Sequence, residues 1–288
     1  MNIYWNEEYC APETDFDTFK KSRHIAELLN TTDPCDRVGS LALARTEIEK
    51  YTSSEYLQAV MTGNPRALAE TNGFEWDDGV YHSVLNSTAG ILCAADDVMD
   101  YKNPSVAGSL SSGLHHANSN RGLGFCTINS LAIGALYVAS KGRRVAILDL
   151  DAHFGGGTTA MIKGTKVAQF DLSTSVFDDY PETEMNPDSR KYFCNQPESY
   201  LKAVSNALDE LEDFSPEVVL YNAGVDVYPQ IPWEMVVTRE LSVAKRLAMR
   251  NSRVVVVTAG GYGDYTHIAK LHSETFRAFG ANIGAVAA

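Results

Sequence analysis

The chain has 288 residues, 44% of them hydrophobic and 21% charged, which is enough apolar material for a sizeable core and excludes a disordered protein. Its 24 basic and 37 acidic residues leave a net charge of −13, which repels phosphate backbones and argues against nucleic acid as a partner. No apolar run is long enough to span a bilayer, so no membrane association is expected, and the opening MNIYWNEEYC lacks the charged-then-apolar order of a secretory signal. The five cysteines (10, 35, 93, 126 and 194) form no C-x-x-C pair. They predict buried thiols in a reducing cytoplasm and no cysteine-built metal site.

No repeat and no Gly/Ser-rich linker divides the chain, so residues 1–288 read as a single domain. Ile3-Tyr4-Trp5 is a short strand candidate. Val80 to Met99 reads as a helix, with Leu85, Ala89, Leu92, Ala95 and Val98 at core-facing intervals, and Ile128 to Ser140 as another, stopped by Lys141-Gly142. A strand from Arg143 to Leu148 leads into Asp149, and Lys166 to Phe170 is a shorter candidate. The helix Ser199 to Glu212 precedes a strand, Val218 to Tyr221, that runs into Asn222; the helix Arg239 to Arg250 precedes Val254 to Val257, which runs into Thr258. Strands apolar on both faces suit a parallel sheet buried between helices. The alternation predicts an α/β fold, a three-layer α/β/α sandwich with a mainly parallel central sheet. In such sheets ligands bind beyond the carboxyl ends of the strands.

Those ends carry chemistry. Asp149-Leu150-Asp151-Ala152-His153 follows one strand, Asn222-Ala223-Gly224-Val225-Asp226 the next, and Ala259-Gly260-Gly261-Tyr262 the last. Gly113-Leu114-His115-His116-Ala117 adds two adjacent imidazoles in a loop. Asp151, His153 and Asp226 could supply two carboxylates and one imidazole to a divalent cation, leaving positions open for water and a carbonyl. Two carboxylates neutralise that cation and weaken its pull on water, so such a site needs neighbouring bases, which a histidine pair provides. A tyrosine hydroxyl could then donate to a carbonyl oxygen as negative charge builds on it. The competing reading of each aspartate is a turn or helix cap. That reading fits the cluster from Asp149 to His153 poorly, because grouped ionisable side chains are costly without a cation.

At these residues the sequence resembles the histone deacetylase superfamily, in its bacterial-type deacetylase-like form. Ser54-Glu55-Tyr56-Leu57, the small-residue helix from Ala89-Gly90 to Val98, His115-His116-Ala117 with Gly124-Phe125-Cys126-Thr127-Ile128-Asn129, and the three strand-end motifs follow the family's order. The resemblance implies an arginase–deacetylase fold and a zinc-dependent amidohydrolase, with Fe2+ or Co2+ as alternative metals. The reaction it implies removes an acyl group, such as acetyl, from an amine: acyl-lysine, an acetylpolyamine or a small N-acyl metabolite. Asp151, His153 and Asp226 match the metal ligands. His115 matches the inner histidine that acts on the water, with Asp149 as its carboxylate partner, and His116 the outer histidine. Tyr262 matches the carbonyl-polarising tyrosine and Phe125 one wall of the substrate tunnel. A structural potassium ion would fall among Asp149, Asp151, His153, Asp171 and Leu172.

The sequence departs from the family at Gly156, which stands where a side chain normally supports the outer histidine, so His116 lacks its orienting acceptor at that position. This departure motivates the alternative of a catalytically weak metal- and ligand-binding module. A third reading, a dinucleotide site, rests on Gly155-x-Gly157-x-x-Ala160 with Asp171 and Asp178 downstream. Arginase-type ureohydrolase chemistry would need a second metal set, and the sequence offers none. Tyr228-Pro229 and Trp233 are read as pocket walls or core packing, and His24, His82, His267 and His272 as surface or capping residues. The acyl group, the amine and the oligomeric state stay open.

Overall fold

The computed structural model describes residues 1–12, 19–31 and 39–283, so Cys35 lies outside the described residues. The strands are β1 Asn2–Tyr4, β2 Val106–Ser112, β3 Val145–Asp149, β4 Ala168–Ser173, β5 Arg190–Phe193, β6 Val218–Gly224 and β7 Arg253–Ala259. The helices are α1 Lys21–Leu29, α2 Ser40–Tyr51, α3 Ser54–Thr62, α4 Arg66–Ala69, α5 Asp78–Met99, α6 Ser130–Ser140, α7 Gly156–Ile162, α8 Pro197–Phe214, α9 Trp233–Met249 and α10 Tyr265–Ile283. One seven-stranded sheet runs in the order β1-β2-β7-β6-β3-β4-β5. Every neighbouring pair is parallel, a stricter arrangement than the mainly parallel sheet predicted.

Alternation along the strands builds two cores. Val145, Ile147, Val218, Leu220, Val255 and Val257 face one layer, which contains α2, α3, α5 and α6. Ala146, Leu148, Val219, Tyr221, Val254 and Val256 face the other, with α1, α8, α9 and α10. A strand buried on both faces has no polar side to alternate, which is why these segments read as continuous apolar runs. Asp77, near the start of α5, accepts a hydrogen bond from Gly79 N at 2.6 Å and so acts as a helix cap.

Four consecutive strands of the sheet, β2, β7, β6 and β3, end in the loops that carry His115-His116, Tyr262, Asp226 and Asp151-His153. Parallel pairing thus brings residues distant in sequence to one rim. The described cysteines 10, 93, 126 and 194 are free; Cys93 and Cys126 are buried as expected, whereas Cys10 and Cys194 are only half-buried.

Candidate active site

Asp151, His153 and Asp226 converge, each offering a ligand atom within 4.8 Å of the others. His153 Nδ1 lies 3.1 Å from Asp151 Oδ1 and 3.1 Å from Asp226 Oδ2. Burial opposes a charge on this imidazole, but hydrogen bonds and charges from the two carboxylates hold its pKa up at about 10. A proton on the ring therefore balances two buried carboxylates, the charge role a divalent cation would fill. Asp226 Oδ2 is buried and accepts no hydrogen bond of good geometry, which leaves a lone pair available to a cation. Its partner Oδ1 accepts from Ala152 N at 3.0 Å, fixing the carboxylate. The close approach depends on Gly260, whose added Cβ would fall 2.2 Å from the Asp226 carboxyl carbon. A second ligating set, His115, His116 and Asp151, shares Asp151 with the first. The set with two carboxylates suits a divalent ion better, and its His153 lines the open mouth of the site.

The histidine pair lies beside these ligands. His115 Nδ1 is 2.8 Å from Asp149 Oδ2, and Asn222 donates to the other Asp149 oxygen at 2.8 Å. His116 Nδ1 is 2.8 Å from Asp178 Oδ2. An ionised carboxylate only accepts, so both rings carry a proton at Nδ1 and turn Nε2 inward. The two Nε2 atoms are 3.2 Å apart, and His115 Nε2 is 3.4 Å from Asp151 Oδ1. Burial pulls His115 down, but the charges of Asp149 and Asp151 outweigh it and hold that ring well above the usual histidine range. Burial and the neighbouring His115 charge push His116 down. The surroundings therefore favour the charged form of His115 and the neutral form of His116, whose one proton sits at Nδ1. Asn129 supports both from below, its amide donating to the carbonyls of His115 and Ala117 at 3.1 and 2.9 Å.

Above the cluster a mouth of about 260 Å³ is lined by His116, Gly124, Phe125, His153, Phe177 and Tyr262. Phe125 and Phe177 are 41% and 43% exposed there, ready to cover an elongated ligand. Phe177 stands edge-on to His116 and His153, with ring centroids 5.0 and 5.6 Å apart. Burial, then the charges of Asp151 and Asp226, push the Tyr262 phenol above the ordinary tyrosine range, so it is a neutral donor.

Asp149 and Asp171 are register partners on β3 and β4, both fully buried. Asp171 Oδ2 accepts from Gly155 N, Gln169 Nε2 and Tyr180 OH, whereas Oδ1 is buried without a hydrogen-bond partner. Burial, then the Asp149 charge, push Asp171 well above the usual carboxylate range. Leu172 is buried beside it.

Several expectations need correction. His116 does have an acceptor; Asp178 provides it from a different loop than the one the sequence pattern indicates. Asp171 and Asp178 bond to the N–H groups of Gly155 and Gly157, occupying the donors a dinucleotide phosphate would need. Of the two readings of Tyr228 and Trp233, pocket wall fails and core packing holds: both pack against the core and lie beside His267, at centroid distances of 5.6 and 4.7 Å. His272, expected at the surface or in a cap, is fully buried, because α10 turns that face onto the core. Phe177 and Lys21, whose Nζ donates to Gly260 O, escape the sequence reading, and Asp178 enters it only in the dinucleotide alternative. Only Asp178 had a local signal, as an acidic residue following a glycine run.

The fold and site define a parallel α/β protein with a carboxylate–imidazole cluster, able to hold a metal ion, at the carboxyl rim of its sheet. The model of the histone deacetylase domain matches residues 17–279, and the chain belongs to that family. It is 29% identical over 173 residues to histone deacetylase 2 of Arabidopsis thaliana, covering 54% of this chain and 43% of that protein. It is 28% identical over 192 residues to an acetylpolyamine amidohydrolase of Burkholderia pseudomallei, covering 60% of this chain and 54% of that protein. The first curated relatives are spanned over only 43–62% of their length. A crystal structure of acetylpolyamine aminohydrolase from Burkholderia pseudomallei superposes with a TM-score of 0.80 at 19% identity, covering 98% of this chain and 99% of that one, which shows a shared fold.

Proposed function

We propose that this protein is a zinc-dependent amidohydrolase that removes an acyl group, such as acetyl, from an amine, and that residues 1–288 form one catalytic domain. The observation that carries this reading is the convergence of Asp151, His153 and Asp226 beside two carboxylate-oriented histidines, under an aromatic mouth. The continuous seven-stranded sheet supports the single domain. Zinc fits two oxygens and one nitrogen with an open position, a donor set that Fe2+ or Co2+ could also share.

When bound, the metal would act as a Lewis acid toward water and the scissile carbonyl. The chain's own residues handle the rest. His115, held by Asp149, and His116, held by Asp178, turn their Nε2 atoms to the reacting side, the neutral His116 placed to take a proton from water and the charged His115 to give one to the departing amine. Tyr262, kept neutral, donates to the carbonyl oxygen as charge grows there. Phe125 and Phe177 cover an apolar stem and keep water out. The names of the relatives support acyl-lysine and acetylpolyamine classes, and the aromatic lining supports a slender chain between acyl group and amine. Free cysteines support a reducing compartment such as the cytoplasm. The weak-enzyme alternative loses the motive that Gly156 gave it once Asp178 orients His116.

The test is a screen of metal-reconstituted protein against N-acyl amines of graded chain length. Acetate release by the zinc-loaded protein is expected, with Tyr262→Phe keeping its metal but turning over about 100-fold more slowly. Equal activity in that variant removes Tyr262 from the mechanism, and no hydrolysis across the series overturns the assignment. Potassium near Asp149 and Asp171 is the second cation in this proposal, supported by the unpartnered Asp171 Oδ1. It should raise the melting temperature relative to tetramethylammonium; equal values would discard it.

A further inference from the structure

We propose that Asp178 is the positioning residue that sets the orientation and tautomer of His116, and that Gly156 is glycine because Asp178 occupies its space. The inference rests on the reading of His116 as a proton-handling residue and specifies what holds that residue in place.

The geometry is that of a matched pair. Asp178 Oδ2 accepts from His116 Nδ1 at 2.8 Å and from Gly157 N at 3.3 Å. A Cβ added at Gly156 would meet Asp178 O at 2.6 Å and Asp178 Oδ1 at 2.6 Å, so no side chain fits at 156 while Asp178 stands there. The backbone carbonyl of residue 178 alone excludes a side chain at 156, so in this loop geometry only position 178 presents a carboxylate to this corner of the site. The carboxylate is mostly buried, at 15% side-chain exposure, so its hydrogen bond to the imidazole is poorly replaced by water.

Asp178 reaches this corner at a local backbone cost. Its φ is +57°, in the left-handed region where only glycine is comfortable and aspartate is tolerated. The turn is pinned by Phe154 N donating to Phe177 O at 3.1 Å. The same turn carries Phe177, which stands against His116 and His153 and lines the mouth. One loop after β4 thus supplies a wall of the mouth and the acceptor behind it.

The chemical consequence follows from the donor inventory. With Asp178 present, the His116 proton sits on Nδ1 and the Nε2 lone pair faces His115 Nε2, 3.2 Å away. Without it, the proton can move to Nε2, which removes the acceptor from the reacting side. Asp178 acts through His116 and does not touch a substrate.

The experiment uses zinc-loaded protein labelled with 15N-histidine and reads the His116 tautomer by NMR, alongside kcat and KM for an N-acetyl amine that the wild type hydrolyses. Asp178→Ala should keep its zinc, shift His116 toward the Nε2–H tautomer, and lower kcat about 10–100-fold with KM little changed. A sharper arm is Gly156→Ala, whose Cβ meets both the Asp178 carboxylate and its backbone carbonyl and should displace the acceptor, lowering the Nδ1–H population of His116 and kcat together. Asp178→Ala should add little to the loss caused by His116→Ala, since both remove one unit. If Asp178→Ala does not fold, Asp178→Asn keeps the shape, and its amide, by donating to Nδ1, should move the proton to Nε2. An unchanged tautomer in both Asp178 variants overturns the proposal, as does full additivity with His116→Ala. If the wild type hydrolyses no N-acyl amine, the functional assignment falls, while the tautomer still decides the role of Asp178.

Discussion

Behind the loop that carries Tyr262, Lys21 and His272 both approach the carbonyl of Gly260. Lys21 Nζ donates to it, and His272 Nε2 lies 3.4 Å away. Burial pushes Lys21 down to about 8 despite the charges of Asp226 and Asp151. Burial, reinforced by the Lys21 charge, holds His272 well below the ordinary value of 6.5. The folded protein thus keeps His272 neutral at pH values where the unfolded chain protonates it. Below pH 6.5 the unfolded state binds the extra proton, so stability falls as pH falls, by up to about 1.4 kcal/mol per pH unit from this group. Urea titrations from pH 7 to pH 5 should show a shallower decline for His272→Gln than for wild type. Identical slopes would mean that another group carries the acid sensitivity.

The residues named from sequence are those with a strand-end motif around them. Asp151, His153 and Asp226 occupy two turns of one rim, and each lies within four residues of a strand that the apolar pattern exposes. Asp178 sits 62 residues from His116, in a segment with neither helical nor strand periodicity, and only the folded backbone brings the two together. Gly156 could be read as a missing partner, but nothing local says that its space is filled by another chain segment.

Among the elements, α9 does more than cover the sheet. Arg239 is fully buried and donates to Leu150 O at 3.1 Å and Gly224 O at 2.7 Å, each near a ligand-bearing turn. Its charge is met by Glu240 and by Tyr200 OH. Arg239→Met would strand the Glu240 carboxylate and free both turns. A loss of about 3–5 kcal/mol in chemical denaturation is expected, and a change below about 1 kcal/mol would show that the turns hold themselves.

The elements that sequence patterning identifies are those whose burial produces a period. β3, β6 and β7 are long β-branched runs, and α5, α6, α8 and α9 lie where core spacing places them, within a few residues except at the start of α9. β2 is missed because VAGSLSS consists mostly of small residues, a consequence of close packing. A Cβ at Gly108 would meet Phe276 Cε1 at 2.7 Å, and Ser109 Oγ bonds Tyr9 OH. β5 is a four-residue edge strand with half-exposed residues and no pattern to read. α1 and α10 pack against each other through apolar faces that the sequence reading left out.

For the whole molecule, the class of fold follows from alternation of strands and helices, and the rim location of the site follows from that class. No helix among the described residues is long and apolar enough to cross a membrane. What links fold to activity is the cation that three side chains on two strand-end turns would share. The most direct test is metal stoichiometry by elemental analysis after chelation and reloading with Zn2+, comparing wild type with a folded Asp226→Ala variant. One tightly held ion per chain in the wild type, lost in the variant, is the expected result. A wild type that retains no zinc, or a variant that retains it undiminished, would contradict the account.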